Sequence, residues 1–459
     1  MITCRRVTIL LAALLGSAAL VVGCGGSSSS SSSAAASGAS SSTTSTTSTA
    51  SSTTTTASTT SSCGPKPGVA ATGTPINLGT INTKQPGTDF TDIANMAQAY
   101  FTCLNANGGV NGHPVTLYIQ TDQTQPAQIA AAAKQLIQTN HVVGMVGPTD
   151  ILECTINQAY WKGLGMYEVD SGIAPECWST PNSAAVNMGP RYSSDGAVQY
   201  GISQHPSKIV FVQANVPGTG YIAAGPQALA KAANVPITAL TENVPINDAN
   251  SVALDLVNKA GSSGCVVLNF TPPEALVILQ AAQKLGLEDR VKGWGCSTPC
   301  NTDFLAKSLG PKWNHKLFVN AELTDPDDHN GPEMQLYKNI LKQYGSAVTG
   351  GVGSFSQMGF VEAEIASKAL ESITGDYTLT TVNQAFKNTK DFKTEMLCQP
   401  WTYGPYSLHI PNNADFTTTP DNGQMVTAQG CFNISNADPQ IAQYRSAAGT
   451  APSTNPPTG

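Results

Sequence analysis

Residues Leu104–Pro126 read LNANGGVNGHPVTLYIQTDQTQP, and this stretch decides the fold. Gly108 and Gly109 offer the positive φ that closes a helix, and Asn111-Gly112 is a turn dipeptide. Val115–Ile119 then reads as a strand, a polar loop follows, and Pro126 opens an Ala-rich helix. This is one helix–turn–strand–loop–helix step of an α/β sheet.

The same rhythm runs outward in both directions. Before the stretch come a strand at 76–81 and a helix at 90–107, whose apolar residues Ile93, Met96, Ala97, Tyr100, Phe101 and Leu104 recur at helical spacing. After it come a helix at 127–138, an apolar strand at 142–146, a helix at 154–161 and a strand at 165–169. A helix at 192–204 leads to a strong strand at 208–212. Helices at 221–232, 251–260, 273–285 and 302–309 then alternate with strands at 237–240, 265–270, 291–294 and 317–319. Two long helices follow, at 332–344 and 357–373. Alternation of this kind predicts a parallel sheet in each of two lobes, with helices on both faces. The segments 399–410 and 425–434 carry Pro, Tyr and Gly, and they suit an antiparallel finishing piece.

The chain ends differ from this core. Met1–Arg6 is basic, and an apolar run extends from Val7 to Val22, which is an export signal too short for a comfortable membrane span. Val21-Val22-Gly23-Cys24 resembles the lipobox of bacterial lipoproteins, in which Cys24 is lipidated and becomes the mature N-terminus; an ordinary secretory signal is the alternative. Residues 25–74 are rich in Ser, Thr, Ala and Gly and are expected to form a flexible tether, and 446–459 a disordered tail. The roughly 380 residues between exceed what one hydrophobic core organises, so two lobes are expected. With 12% charged residues, a net charge of −7 and no basic run, the chain has nothing to track phosphates, which excludes nucleic acid as a partner.

Eleven cysteines include Cys4 and Cys24 in the signal segment, so nine remain. In an exported chain these imply disulfides with one thiol left over. Cys296-Ser-Thr-Pro-Cys300 has no histidine at zinc-finger spacing, so a small covalent loop is preferred to a metal site.

The segment AYFTCLNANGGVNGHPVTLYIQTDQTQPAQIAAAAKQLIQTNHVVGMVGP resembles the type I periplasmic binding proteins of the leucine/isoleucine/valine class. Later stretches agree in order: KIVFVQAN, GTGYIAAG, NFTPPEALVILQAAQKLGL and LTDPDD before a long helix. The resemblance covers about 75–440. It implies two α/β lobes joined by three crossovers, expected near 190–206, 320–330 and 390–400. Lobe one then comprises 75–195 with 325–395, and lobe two 196–324 with 396–445. It also implies a monomeric, lipid-anchored subunit, with no cofactor and no enzymatic activity, that captures a small polar solute and delivers it to an ABC permease. A ligand-sensing receptor of the same fold is the alternative.

Family members bind ligand through loops that here include Thr149, Asp150, Asp170, Ser171 and Gly172, through Tyr221, through Thr271 and Ser297, and against an aromatic wall, here Phe355. The carboxylate that amino-acid binders place near Ser297 is absent, as is a hydroxyl near Ile173. Asp150 and Asp170 are instead candidate anchors for an amine, amide or hydroxyl; capping of the following turn is the alternative for either. Family members often carry a disulfide where Cys154 and Cys177 stand. Spacing leaves the other pairs open; Cys296–Cys300, Cys398–Cys431 and Cys63–Cys103 are the expected ones, with Cys265 the buried free thiol.

Two rival chemistries are weaker. Gly218-Thr-Gly-Tyr-Ile-Ala223 with Glu242 has the outline of a dinucleotide fingerprint and would suit an NAD-binding oxidoreductase, but Pro217 and its mid-chain position argue against it. No Gly-x-Ser-x-Gly elbow supports a hydrolase. Asp325-Pro-Asp-Asp-His-Asn-Gly331 lacks calcium-loop spacing and reads as a solvated loop.

Overall fold

The computed structural model describes residues 63–324 and 330–450. The signal segment, Cys24, tether residues 25–62, the acidic stretch 325–329 and the tail residues 451–459 lie outside the described residues.

The first sheet is built in chain order. β1 (Ile76–Gln85) and β2 (Thr88–Asp89) form a hairpin turned at Pro86-Gly87. Then come α1 (Thr91–Ala106), β3 (Val115–Asp122), α2 (Pro126–Gln138), β4 (Gly144–Val146), α3 (Glu153–Leu164), β5 (Glu168–Asp170), α4 (Pro175–Trp178) and β6 (Ser183–Ala185). The order β3-β1-β4-β5-β6 is parallel throughout, and β2 extends the end of β1. Chain direction reverses its winding between β1 and β4, the switch point where doubly wound sheets open a crevice.

α5 (Gly189–Ser203) leads to the second sheet. Its elements are β7 (Ile209–Ala214), α6 (Ala224–Ala232), β8 (Ile237–Glu242), α7 (Ala249–Ala260), β9 (Cys265–Asn269), α8 (Pro272–Lys284), β10 (Gly293–Cys296), α9 (Asp303–Leu309) and β11 (Leu317–Ala321). The chain then returns to the first lobe through α10 (Pro332–Tyr344), α11 (Ser354–Glu371) and α12 (Leu379–Lys387), whose Tyr337, Phe360 and Phe386 join Leu78 and Phe101 in one apolar core. β12 (Ala414–Asp421) and β13 (Gln424–Asn433) complete the second sheet, and α13 (Pro439–Ala448) places Ile441 and Tyr444 in an apolar cluster with Cys154, Cys177 and Trp178. The order of the second sheet is β8-β7-β9-β10-β11-β12-β13, parallel as far as β11 and antiparallel thereafter.

Local chemistry explains these elements. At the end of α1, Gly109 has φ 60°, and a Cβ there would meet His113 O at 2.2 Å, so the turn into β3 requires glycine. At Gly359 a Cβ would meet Ile93 O at 2.0 Å; the missing side chain lets α11 lie directly on α1. β9 and β11 are buried along their whole length, as strands covered by helices on both faces must be.

The structure departs from the sequence reading in the finishing piece. The partner of the last strand is Ala414–Asp421, turned at Asn422-Gly423, and not 399–410. Residues 399–410 are a buried seam instead. Trp401 Nε1 donates to Ala185 O at 3.0 Å, and Tyr403 Oη to Glu168 O at 2.9 Å, so these side chains wedge against the edge of the first sheet. Residues 63–74, grouped with the tether from their composition, lie against the end of α1. Cys63 is bonded to Cys103, and Ala71 N donates to Asn105 O. The other disulfides join Cys154 to Cys177, Cys296 to Cys300 and Cys398 to Cys431, and Cys265 is a buried free thiol. No described helix is long and apolar enough to cross a membrane.

Candidate ligand-binding cleft

The two lobes face each other with the carboxyl ends of their strands. Between these ends lies an outer chamber of about 330 Å³, which shares Gly87, Thr88, Thr271 and Phe355 as walls with an inner chamber of about 90 Å³. Lobe one contributes Phe90 after β2, Thr149 and Ile151 after β4, and Ile173 after β5. Lobe two contributes Val216 and Thr219 after β7, Asn269 and Phe270 from the end of β9, Thr298 after β10, and Glu322 after β11. This is the location at which open parallel sheets bind small molecules, because strand-end loops from many segments converge there. The inner walls are mostly apolar, and Phe355 stands edge-on to Phe90 with ring centroids 5.6 Å apart.

Hydrogen bonds cross the cleft. Tyr221 Oη, in the loop before α6, donates to the carbonyl of Ile173. Thr271 Oγ1, at the head of α8, donates to Gly87 O at 3.1 Å, on the turn of the β1–β2 hairpin. These bonds join the two lobes, one beside the inner chamber at Ile173 and one where the two chambers meet at Gly87. A family model described as periplasmic binding protein matches residues 75–424. The chain belongs to the periplasmic binding protein family.

Solved structures of similar fold agree with that assignment. A fatty acid ABC transporter substrate-binding protein from Thermomonospora curvata superposes with a TM-score of 0.68 at 16% identity, covering 82% of this chain and 97% of that one. A solute-binding protein of an ABC transporter from R. palustris, in complex with 4-hydroxybenzoate, gives 0.65 at 15% identity over 79% and 98%. The branched-chain amino acid transporter substrate-binding protein of Streptococcus pneumoniae, in complex with isoleucine, gives 0.61 at 14% identity over 77% and 99%. At such identities the likeness speaks to fold alone. No curated protein matches the sequence.

In this periplasmic binding protein the residues singled out from the sequence divide into two groups. Thr149, Thr271 and Phe355 line the cavity. Tyr221 sits at its edge as the interlobe donor. Asp150, Asp170, Ser171, Gly172 and Ser297 are not among the lining residues. Asp150 turns into its own lobe, where Oδ1 accepts from Leu152 N at 2.7 Å and Oδ2 from the Thr83 hydroxyl at 3.1 Å. Asp170 is buried behind the cleft, and its Oδ2 accepts from the Ser183 hydroxyl at 2.9 Å. Burial pushes its carboxyl up to about 8, against the opposing pull of that hydroxyl. Ser171 donates to Glu362, Gly172 O accepts from Asn187 Nδ2 at 3.1 Å, and Ser297 donates to Asn269 Oδ1 at 2.7 Å.

Glu322 is a cleft residue that sequence reasoning passed over. It stands one position beyond β11 and lines the inner chamber, with 2% of its surface exposed. Burial drives its carboxyl up to about 8, against the Met188 N–H and the Thr298 hydroxyl, which favour the ionised form. An acid at the carboxyl end of a predicted central strand was the signal. Nothing local separates it from the acids of the loop at 325–331.

Proposed function

We propose that this protein captures a small solute between its lobes outside the cytoplasm and hands it to the permease of an ABC transporter. The observation that carries this reading is the cavity between the carboxyl ends of two sheets, spanned by Tyr221 and Thr271. Parting and meeting of the lobes would open and narrow such a cavity, which is the cycle a carrier needs. The likeness to ABC transporter substrate-binding proteins supports the permease as partner. Phe355, Thr149 and Thr271 are the proposed ligand contacts and Tyr221 the latch, while Asp150, Asp170, Ser171, Gly172 and Ser297 shape the loops behind them. A lipid on Cys24 would hold the carrier as a monomer at the outer face of the membrane, and residues 25–62 would let it reach the permease.

The experiment is a thermal-shift screen of small metabolites followed by calorimetry and small-angle scattering. One-to-one saturable binding with a decrease in radius of gyration is expected, as is loss of uptake of that solute when the gene is deleted. Absence of saturable binding across the screen would overturn solute capture. Binding without any effect on uptake would move the protein to a sensing role.

A further inference from the structure

The cleft has a one-sided charge. Among the described residues lining its two chambers there is no Lys, Arg or His side chain, and the ionisable ones are all acids. Three of these, in the outer chamber, already have partners. Asp89 Oδ1 accepts from Thr91 N and its hydroxyl, Asp92 accepts from the Thr349 and Gly350 N–H groups, and Glu274 Oε2 accepts from Ile246 N at 2.8 Å.

Glu322 is different. It is buried at the inner chamber, and its Oε2 has no hydrogen-bond partner among the described residues. Asn187 lines the same chamber and is also buried. Its Nδ2 is used by Gly172 O, while its Oδ1 has no partner. Two residues that line a largely apolar chamber therefore each carry one buried acceptor without a partner. Leaving buried acceptors without donors is costly, and a bound solute that brings donors relieves that cost.

One of the helices that begin at the cleft offers little to an anion. α8 starts at the cleft, and a helix N-terminus ordinarily offers N–H groups and a positive dipole end. Here its first residues are Pro272 and Pro273, which carry no N–H, and Glu274 adds negative charge to the first turn. We infer that the cleft selects a small solute with an apolar body and a hydrogen-bond-donating head, an alcohol or an amine, and rejects the corresponding carboxylate. A solute carboxylate would be desolvated beside Glu322 with no cation to balance it. Even a proton held on Glu322 would supply one donor where a carboxylate accepts several. An alcohol donates to Glu322 or Asn187, and an amine can draw the Glu322 proton to solvent and pair with the carboxylate left behind.

The inference rests on solute capture as proposed above and can fail separately from it. Two matched sets serve as probes on the mature chain: benzylamine, benzyl alcohol and benzoate, and hexylamine, hexanol and hexanoate. Calorimetry is expected to show saturable binding of amines or alcohols, with each carboxylate about tenfold or more weaker. A carboxylate that binds as tightly as its alcohol and amine overturns the inference and leaves solute capture standing. Binding of none of the six also overturns it, and solute capture is then judged by the wider screen. Glu322→Gln keeps an acceptor and removes the ionisable group. It is expected to weaken the amines about tenfold while the alcohols stay within about threefold. Equal loss in both series would mean a structural role for Glu322 and would overturn its part in selection.

Discussion

Asn412 Nδ2 donates to the carbonyl of Glu322 at 3.0 Å, and the same nitrogen donates to Val186 O, also at 3.0 Å. Three passages of the chain between the lobes meet at this one amide: the segment after β6, the segment after β11 and the segment before β12. The side chain therefore fixes the crossovers relative to each other, at the backbone of a residue that lines the inner chamber.

Asn412→Ala removes both donors and leaves two buried carbonyls without them. A cost of about 3 kcal/mol is expected, since each unmet buried group carries a desolvation penalty. Denaturant unfolding monitored by tryptophan fluorescence measures it. A change under about 1 kcal/mol would show that water replaces the amide.

Tyr221→Phe removes only the hydroxyl that reaches the Ile173 carbonyl across the cleft. In the carrier cycle proposed above the bond forms only when the lobes meet, so the melting temperature of the unliganded chain should hardly move. The closed form loses about 1 kcal/mol, which lowers solute affinity about fivefold. Calorimetry with the identified solute gives the comparison. Thr271→Val, which removes the donor to Gly87 O, should behave alike. Unaltered affinity in both variants would show that closure depends on other contacts.

The interior of the first lobe holds an unusual set of acids. Burial pushes Asp170 up to about 8 and Glu153 to about 7, and it raises Glu168 and Glu362 as well. In the unfolded chain these groups titrate at about 4. The native state therefore keeps protons that the unfolded state has released. Stability from this source is fully present below about pH 4 and is lost progressively as pH rises, for Glu153 through about pH 7 and for Asp170 through about pH 8. The melting temperature should fall between about pH 5 and pH 8, and Asp170→Asn should make that slope shallower. A melting temperature that climbs over the same range would contradict the assignment of protonated native carboxyls.

The cysteine pattern predicts a thiol count. In a chain without its first 24 residues, a thiol reagent should find no reactive group in the native protein. It should find one, Cys265, after denaturation without reductant. The bridge Cys63–Cys103 spans 40 residues, so replacing both by Ser should cost about 4 kcal/mol of unfolding free energy on the loop-entropy estimate. Two or more thiols in the denatured, unreduced chain would break the pairing scheme.

The sequence by itself determined what depends on near neighbours. Gly108–Gly112 ended one helix and turned the chain into β3, and apolar runs such as Cys265–Asn269 marked strands covered on both faces. Alternation of strands and helices then left a two-lobed parallel architecture as the solution that buries every apolar face. Even α12, which the sequence reading omitted, carried a local signal in the reciprocal Thr378 and Thr381 cap. So did the β12–β13 hairpin in Asn422-Gly423, the strongest kind of short hairpin turn.

Only the tertiary structure decided what the strand-end side chains do. Asp150, Asp170 and Glu322 all stand at or just beyond strand ends, and spacing along the chain cannot tell them apart. Asp150 is taken up by Thr83, 67 residues away, and Asp170 lies behind the cleft with one oxygen on Ser183 and the other unmatched, whereas Glu322 lines the inner chamber. Residues 399–410 likewise had the composition of an extended strand, but became a seam because Trp401 and Tyr403 found carbonyls on the first sheet. A buried polar side chain must satisfy its hydrogen bonds wherever partners happen to lie. Those partners are brought close by the packing of distant segments, so the contents of the cleft are a property of the folded chain and not of any local pattern.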